Sequence, residues 1–214
     1  MRITTMTTMA MAVAAMVAGI PVDARAEVLQ KTTFKGNSAF AFFNEDTPIT
    51  CADGSAGTLT TSVGVNGNEF VSHDRQLPDQ ASNTVSVFAS RFDSCTGTGF
   101  FGQGSLDNAL RQNGLQSATM IGTVPLTDSD GNPVGTVTVN LALNGTGGTS
   151  SSQSHNRFEF ESPDGLITFT SHFKGTSRNA TVTGSVVFNG VEMIGNLSFA
   201  DLTQSKDGSS QLLK

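Results

Sequence analysis

The residues with the most chemistry at close spacing lie between positions 154 and 174. Two stretches there alternate apolar and polar side chains with period two, which predicts a β-hairpin. With Asp164-Gly165 as its two-residue turn, Arg157 lies opposite His172 and Glu159 opposite Thr170. One face of the hairpin then collects the candidate site residues His155, Arg157, Glu159, Glu161 and His172. Such a face could bind a ligand, hold a metal or form an acid–base pair.

The alternative for this hairpin is a solvated polar face, because charged residues alternate on any strand whose other face is core. In that interpretation Phe158, Phe160 and Phe169 point into the core, and the polar face has no ligand. The sequence leaves both interpretations open. It predicts no metal site and no cofactor.

Two other clusters of polar residues have simple interpretations. Residues 128–132 (Asp-Ser-Asp-Gly-Asn) resemble the start of a calcium loop, but Pro133 and Val139 stand where an EF-hand needs Gly and Glu. We predict a hairpin tip there. Residues 72–74 (Ser-His-Asp) contain the side chains of a hydrolase triad, but a triad is assembled in space and neighbouring residues point apart. We predict an ordinary loop.

Two cysteines, Cys51 and Cys95, stand alone in the sequence. Neither has a second Cys or a His at metal-ligand spacing. An isolated pair in an oxidising compartment favours one disulfide over free thiols or a metal site.

Residues 1–26 have the composition of a secretory signal peptide. Their apolar stretch, 9–20, is about a dozen residues long, shorter than the ~20 that a membrane-spanning helix needs. Ala24-Arg25-Ala26 follows and offers small residues at both positions of a cleavage site. We predict cleavage before Glu27, no membrane span afterwards, and export to the periplasm or the extracellular medium.

The composition restricts the partners that the exported chain can take. The full chain has a net charge of −6, and removal of the signal peptide leaves 10 basic and 17 acidic residues. An acidic chain without a basic run is poorly suited to nucleic acid. The chain has no Trp and no Tyr, so it lacks the rings that usually stack on sugars or form the girdles of outer-membrane barrels.

The period-two alternation extends over nearly the whole chain after residue 26. Turn signals such as Asn66-Gly67 and Asn189-Gly190 separate the stretches. We predict one all-β domain over 27–201, an antiparallel meander of roughly nine to twelve strands closed as a barrel or folded as a sandwich. Residues 106–112 are the only hint of a helix, and 202–214 are predicted to be a polar, frayed tail.

Two short segments carry a resemblance to a group of proteins. Residues 92–97 (FDSCTG) and 171–180 (SHFKGTSRNA) are similar to segments of uncharacterised, β-rich exported bacterial proteins. The resemblance implies no activity, but it points to Cys95, His172, Gly175 and Arg178. Arg178 joins the candidate site as a partner for Glu159 or Glu161, with an ordinary surface charge as the alternative.

A pentapeptide also occurs twice within the chain. Residues 34–38 (FKGNS) and 173–177 (FKGTS) are identical at four of five positions. In a chain rich in Gly and Ser, two similar pentapeptides can arise by coincidence.

The sequence is compatible with three functions. The first is a non-enzymatic exported domain that binds a small-molecule or protein ligand through the polar hairpin face. The second is a small β-barrel hydrolase or isomerase in which Glu159 or Glu161 tunes His172. The third is a structural surface or matrix protein whose strand edges drive assembly.

Overall fold

The computed structural model describes residues 27–213, so the predicted signal peptide lies outside the described residues. The described chain is almost entirely β-structure, with one three-residue 3-10 turn at Ile194–Asn196 and no α-helix. Its strands are β1 (Glu27–Thr50), β2 (Ala56–Asp74), β3 (Gln80–Asp93), β4 (Thr98–Asp107), β5 (Leu110–Asn113), β6 (Ser117–Thr127), β7 (Pro133–Ser162), β8 (Gly165–Phe188), β9 (Val191–Glu192) and β10 (Leu197–Leu213).

Eight of these strands form a ring, and every pairing in it is antiparallel. The order is β1, β2, β3, β4, β6, β7, β8 and β10, and β10 returns to pair with β1. The ring is not a regular barrel, because β4 and β6 meet through the single residue pair Gln103 and Thr127. β5 and β9 lie off the ring, paired to β6 and β8. The prediction of an all-β antiparallel fold is confirmed.

The apolar core fills the part of the ring that all eight strands enclose. Period-two alternation sends every second side chain inward, and small or β-branched residues suit the crowded interior. The most buried core side chains include Ala39, Ala41, Phe43, Val63, Val65, Val87, Val137, Leu141, Leu143, Val186 and Leu202.

The segment 110–115 crosses the inside of the ring at the edge of this core. Leu110 packs over Gly67 of β2, where any side chain would collide with it. The Gln112 amide donates to the carbonyls of Ser38 on β1 (3.2 Å) and Thr203 on β10 (3.3 Å). At its far end, the Leu115 carbonyl accepts from β8 at Arg178. This crossing segment separates the apolar core from a polar end of the molecule.

Beyond the crossing segment the ring is open. Strands β2, β1, β10, β8 and β7 continue past it as one sheet, with the start of β3, residues 80–83, paired to the other edge of β2. Residues 149–162 of β7 pair only with β8. Among the described residues, the other edge of that stretch of β7 has no ladder partner. The five extended strands therefore present an inner face that is no longer covered by β4 and β6.

Several predictions about secondary structure were wrong. Asn66-Gly67, predicted to be a turn between two strands, lies inside β2 and pairs with β3. Residues 106–112 contain the end of β4, a turn with Asn108 at φ 58°, and the start of β5. Leu106 and Leu110 have helical spacing, but each instead packs against a glycine across the sheet. The tail is not frayed as far as it is described, because 202–213 belong to β10, which pairs with β1 on one side and β8 on the other. Backbone pairing on both edges outweighs its polar composition.

The disulfide prediction is confirmed: Cys51 and Cys95 are bonded, and their Cα atoms lie 5.3 Å apart. The bond joins the turn after β1 to the turn after β3, and it is compatible with an oxidising, exported location. The segment 128–132 is the tip of the β6–β7 hairpin, as predicted. Within 27–213, the chain has no helix that is long and apolar enough to cross a membrane.

Candidate functional site at the open end of the ring

The predicted hairpin exists, with a register shifted by two residues from the prediction. Its turn is Pro163-Asp164, because Ser162 pairs with Gly165. His155 therefore lies directly opposite His172, where Arg157 was predicted. A shift of two residues preserves the faces of both strands, so the predicted polar set still shares one face.

The two faces of this hairpin are inverted relative to the prediction. Phe158 and Phe160, predicted to point into the core, are 53% and 46% exposed. Thr168, on the polar face, is only 3% exposed. Alternation along β8 explains this, because the inward-facing core residues Val186 and Phe188 are even-numbered and so are Thr168 and His172. The polar face lines the inside of the open end.

All three histidines of the chain lie in one inward-facing row that crosses five strands. We call it the histidine row, and in order from β2 to β7 it consists of His73, Thr33, Gly208, His172 and His155. The rings of His155 and His172 are stacked, with centroids 3.8 Å apart. Between Thr33 and His172, a Cβ added to Gly208 would meet nothing within 4 Å. The middle of the row is therefore an open gap.

The next row inward carries three of the chain's five lysines. We call it the lysine row, and it consists of Val71, Lys35, Lys206, Lys174 and Gln153. Lys206 lies directly between Lys35 and Lys174, and all three are exposed. Like charges at directly paired positions repel one another and destabilise a sheet. None of the three has an acidic partner within salt-bridge distance among the described residues.

Two adjoining cavities occupy the inner face over these rows; together they form what we call the inner cleft. The first encloses about 620 Å³ and is lined by His155, His172 and Gly208. The second encloses about 670 Å³ and reaches Lys35, Glu69 and His73. Lys174 and Lys206 line both cavities. Each volume is typical of small-molecule sites.

The repeated pentapeptide builds the lysine row. Its copies lie on β1 and β8, on either side of β10 and in the same register. Lys206 pairs with Lys35 and with Lys174, and Ser205 pairs with the glycine of each copy. In each copy the Phe ring packs over the glycine two residues later, Phe34 on Gly36 and Phe173 on Gly175. The repeat therefore has a structural role: it presents two lysines symmetrically about a third.

The carboxylates predicted for the site lie away from His172, and Arg157, one row outward from the histidines, is bound to one of them. Arg157 binds Glu159 at 2.7 Å, and Glu159 also accepts from Thr168 at 3.1 Å. Thr168 is four residues from His172 along β8, roughly 13 Å. Glu161 lies opposite Leu166, farther still from His172, at the end of the hairpin.

The structure does not bring Arg178 to Glu159 or Glu161 either. Its guanidinium donates to the carbonyls of Gly147 (3.1 Å) and Leu115 (3.5 Å) beside the crossing segment.

The residues 72–74 belong to β2 and do not form the predicted loop. His73 faces inward and binds the carboxylate of Asp79 at 2.8 Å. Asp74 accepts hydrogen bonds from the side chains of Gln30 (3.0 Å) and Thr32 (2.7 Å). The Gln30 side chain, then the Gln76 backbone and the Thr32 hydroxyl, lower the pKa of Asp74 to about 2. The carboxylate links the side chains of β1 to the end of β2.

Sequence reasoning missed the three lysines and Gly208. The lysines are separated by up to 171 positions and come together only through the pairing of β10 with both β1 and β8. The repeated pentapeptide was the one available signal, since it places a Lys at the same point of two strands. Gly208 could not be recognised from the sequence, because what it contributes is the open space left by its missing side chain.

Comparison of the chain with protein-family models, with curated proteins and with solved structures finds no match.

Proposed function

We propose that this protein is an exported, non-enzymatic β domain that binds an anionic small molecule in the inner cleft. The lysine row carries the proposal. Three ammonium groups at adjacent paired positions repel one another, and a bound anion would remove that repulsion. In an acidic chain with five lysines, this concentration is not a consequence of composition. Export to the periplasm or the medium is part of the proposal, and the disulfide supports it.

Anion binding is tested by NMR titration of the protein with inorganic phosphate and with hexanoate at low ionic strength. We expect saturable shifts at Gly208 and in the lysine row. Lys206→Gln removes the central charge and should weaken binding about threefold or more, from one lost charge contact. Arg111→Gln is the matched control, because it also removes one exposed positive charge but lies on β5, outside the two rows.

A second pair of variants tests whether the cleft itself is the site. Gly208→Leu fills the gap in the histidine row, and its φ lies outside the left-handed region. It should abolish the shifts. Gly195→Leu, in the 3-10 turn, also has open space around it and should leave them intact. Absence of saturable shifts in the wild type, or equal weakening by Lys206→Gln and Arg111→Gln, would refute the proposal.

The free edge of β7 favours a second candidate, self-association by strand addition. Residues 149–162 offer one unpaired ladder edge, and such edges recruit further strands. Size-exclusion chromatography over a range of concentrations tests this candidate. Concentration-dependent oligomers that disappear when Pro replaces Ser152 would support it, and a constant monomer would contradict it.

A further inference from the structure

We infer that the molecule bound in the inner cleft carries two anionic groups about 7 Å apart. This inference rests on the proposed function and specifies its ligand. One anionic group lies against the lysine row, and the other lies over Gly208 beside the stacked imidazoles of the histidine row.

The spacing follows from the strands themselves. Each residue of the histidine row is separated by two positions from a residue of the lysine row on the same strand, as His172 is from Lys174. Two residues of an antiparallel strand span about 7 Å. A ligand lying along the strands therefore meets the two rows at about that separation.

Neither row contains a group that would repel the second anion. The ten inward-facing positions of the two rows hold three lysines, three histidines and no carboxylate. Thr33 adds a hydroxyl donor on one side of Gly208, and His172 adds a ring nitrogen on the other. The missing side chain at Gly208 lets an anionic group approach between them.

The imidazole pair makes the second contact dependent on pH. Imidazole changes its charge between about pH 8 and pH 5, and a protonated ring binds an anion more strongly than a neutral one. Two protonated rings stacked at 3.8 Å would repel each other unless an anion lay beside them. Protonation at this pair and binding of the second anionic group should therefore favour each other.

Other charged groups surround the pair. Lys174 and Lys206 lie in the next row inward, and Asp207 lines the first cavity beside Gly208. Lys31 and Arg157 occupy the next row outward, on β1 and β7. His73, bound to Asp79, stands at the far end of the histidine row.

The test compares carboxylates of matched length by calorimetry at pH 6 and pH 8. Hexanoate has one anionic group, whereas adipate has two at close to the required separation. At pH 6 we expect adipate to bind about tenfold tighter than hexanoate, the gain expected of one added charge-assisted contact. Succinate and sebacate should bind more weakly than adipate, and the gain of adipate should shrink at pH 8. Butane-1,4-bisphosphonate distinguishes phosphoryl from carboxyl groups.

The variant His155→Gln/His172→Gln identifies the second contact. It should remove the tenfold gain of adipate at pH 6 and keep the binding of hexanoate, which shows that the variant is folded. Equal affinities of wild type for adipate and hexanoate, or a gain that survives in the double variant, would overturn the inference. If wild type bound neither hexanoate nor phosphate, the proposed function itself would fail.

Discussion

Removal of the disulfide should lower the free energy of unfolding by about 4 kcal/mol. The bond closes a loop across 44 residues, and cross-linking a loop of that length removes about 13 cal/mol/K of chain entropy from the unfolded state. The perturbation is Cys51→Ala/Cys95→Ala, and the assay is urea unfolding with linear extrapolation to water. A loss below about 1 kcal/mol would refute the entropic reasoning, because it would mean that the unfolded chain is held together in another way.

Gly57 supplies an independent check on the position of the bond. This residue of β2 lies under the disulfide, and a Cβ there would come within 2.8 Å of Cys51 Sγ and closer still to Cys95 Sγ. Gly57→Ala should cost about 1–3 kcal/mol in the oxidised protein through overpacking. In the Cys51→Ala/Cys95→Ala background both sulfurs are absent, and the same change should be nearly neutral. Additive effects in this double-mutant cycle would contradict the packing.

Three further predictions concern single side chains. The pKa of Asp74 is lowered in the folded protein, so its carboxylate adds stability above its unfolded pKa of about 3.9 that is lost as pH falls through 2. Asp74→Asn should therefore lower the urea midpoint more at pH 7 than at pH 2. Burial raises the pKa of Asp201. The protonated carboxyl is therefore favoured in the folded protein, and the stability that it contributes at low pH is lost as pH rises through the raised pKa. Asp201→Asn should raise the urea midpoint at pH 7, and a lower midpoint would contradict this. Gln112→Ala should cost about 1–3 kcal/mol in urea unfolding because carbonyls of three segments lose their donor, and a cost below 0.5 kcal/mol would show that they find another.

The fold class could be predicted from the sequence because alternation and turn chemistry are local signals. Alternation also assigned the residues of the β7–β8 hairpin to the correct two faces. They could not tell which face points inward, because that depends on where the ring closes. The prediction assigned Phe158 and Phe160 to the core since apolar faces usually bury. Alternation from the core positions of β7, such as Val137 and Leu141, places these two even-numbered rings on the outer face.

The residues of the candidate site could likewise be predicted only where local signals relate them. His155 and His172 were found because they sit on two consecutive strands, where a turn relates their positions. Lys35 and Lys206 could not be related in that way, since their pairing joins strands from opposite ends of the described chain. Long-range closure of this kind leaves no periodic signal in the residues between.

The inward-facing rows show that one set of strands serves two opposing requirements. On the core side of the crossing segment, inward residues such as Ala39 and Leu202 are fully buried, and their burial stabilises the ring. Only four residues away on the same strands, inward Lys35 and Lys206 face each other and weaken the pairing. Because β1 and β10 are held by the core on one side, they can carry this repulsion at their open end. Lys206→Gln should therefore weaken anion binding without lowering the free energy of unfolding, which is the behaviour of a residue placed for a ligand and not for the fold.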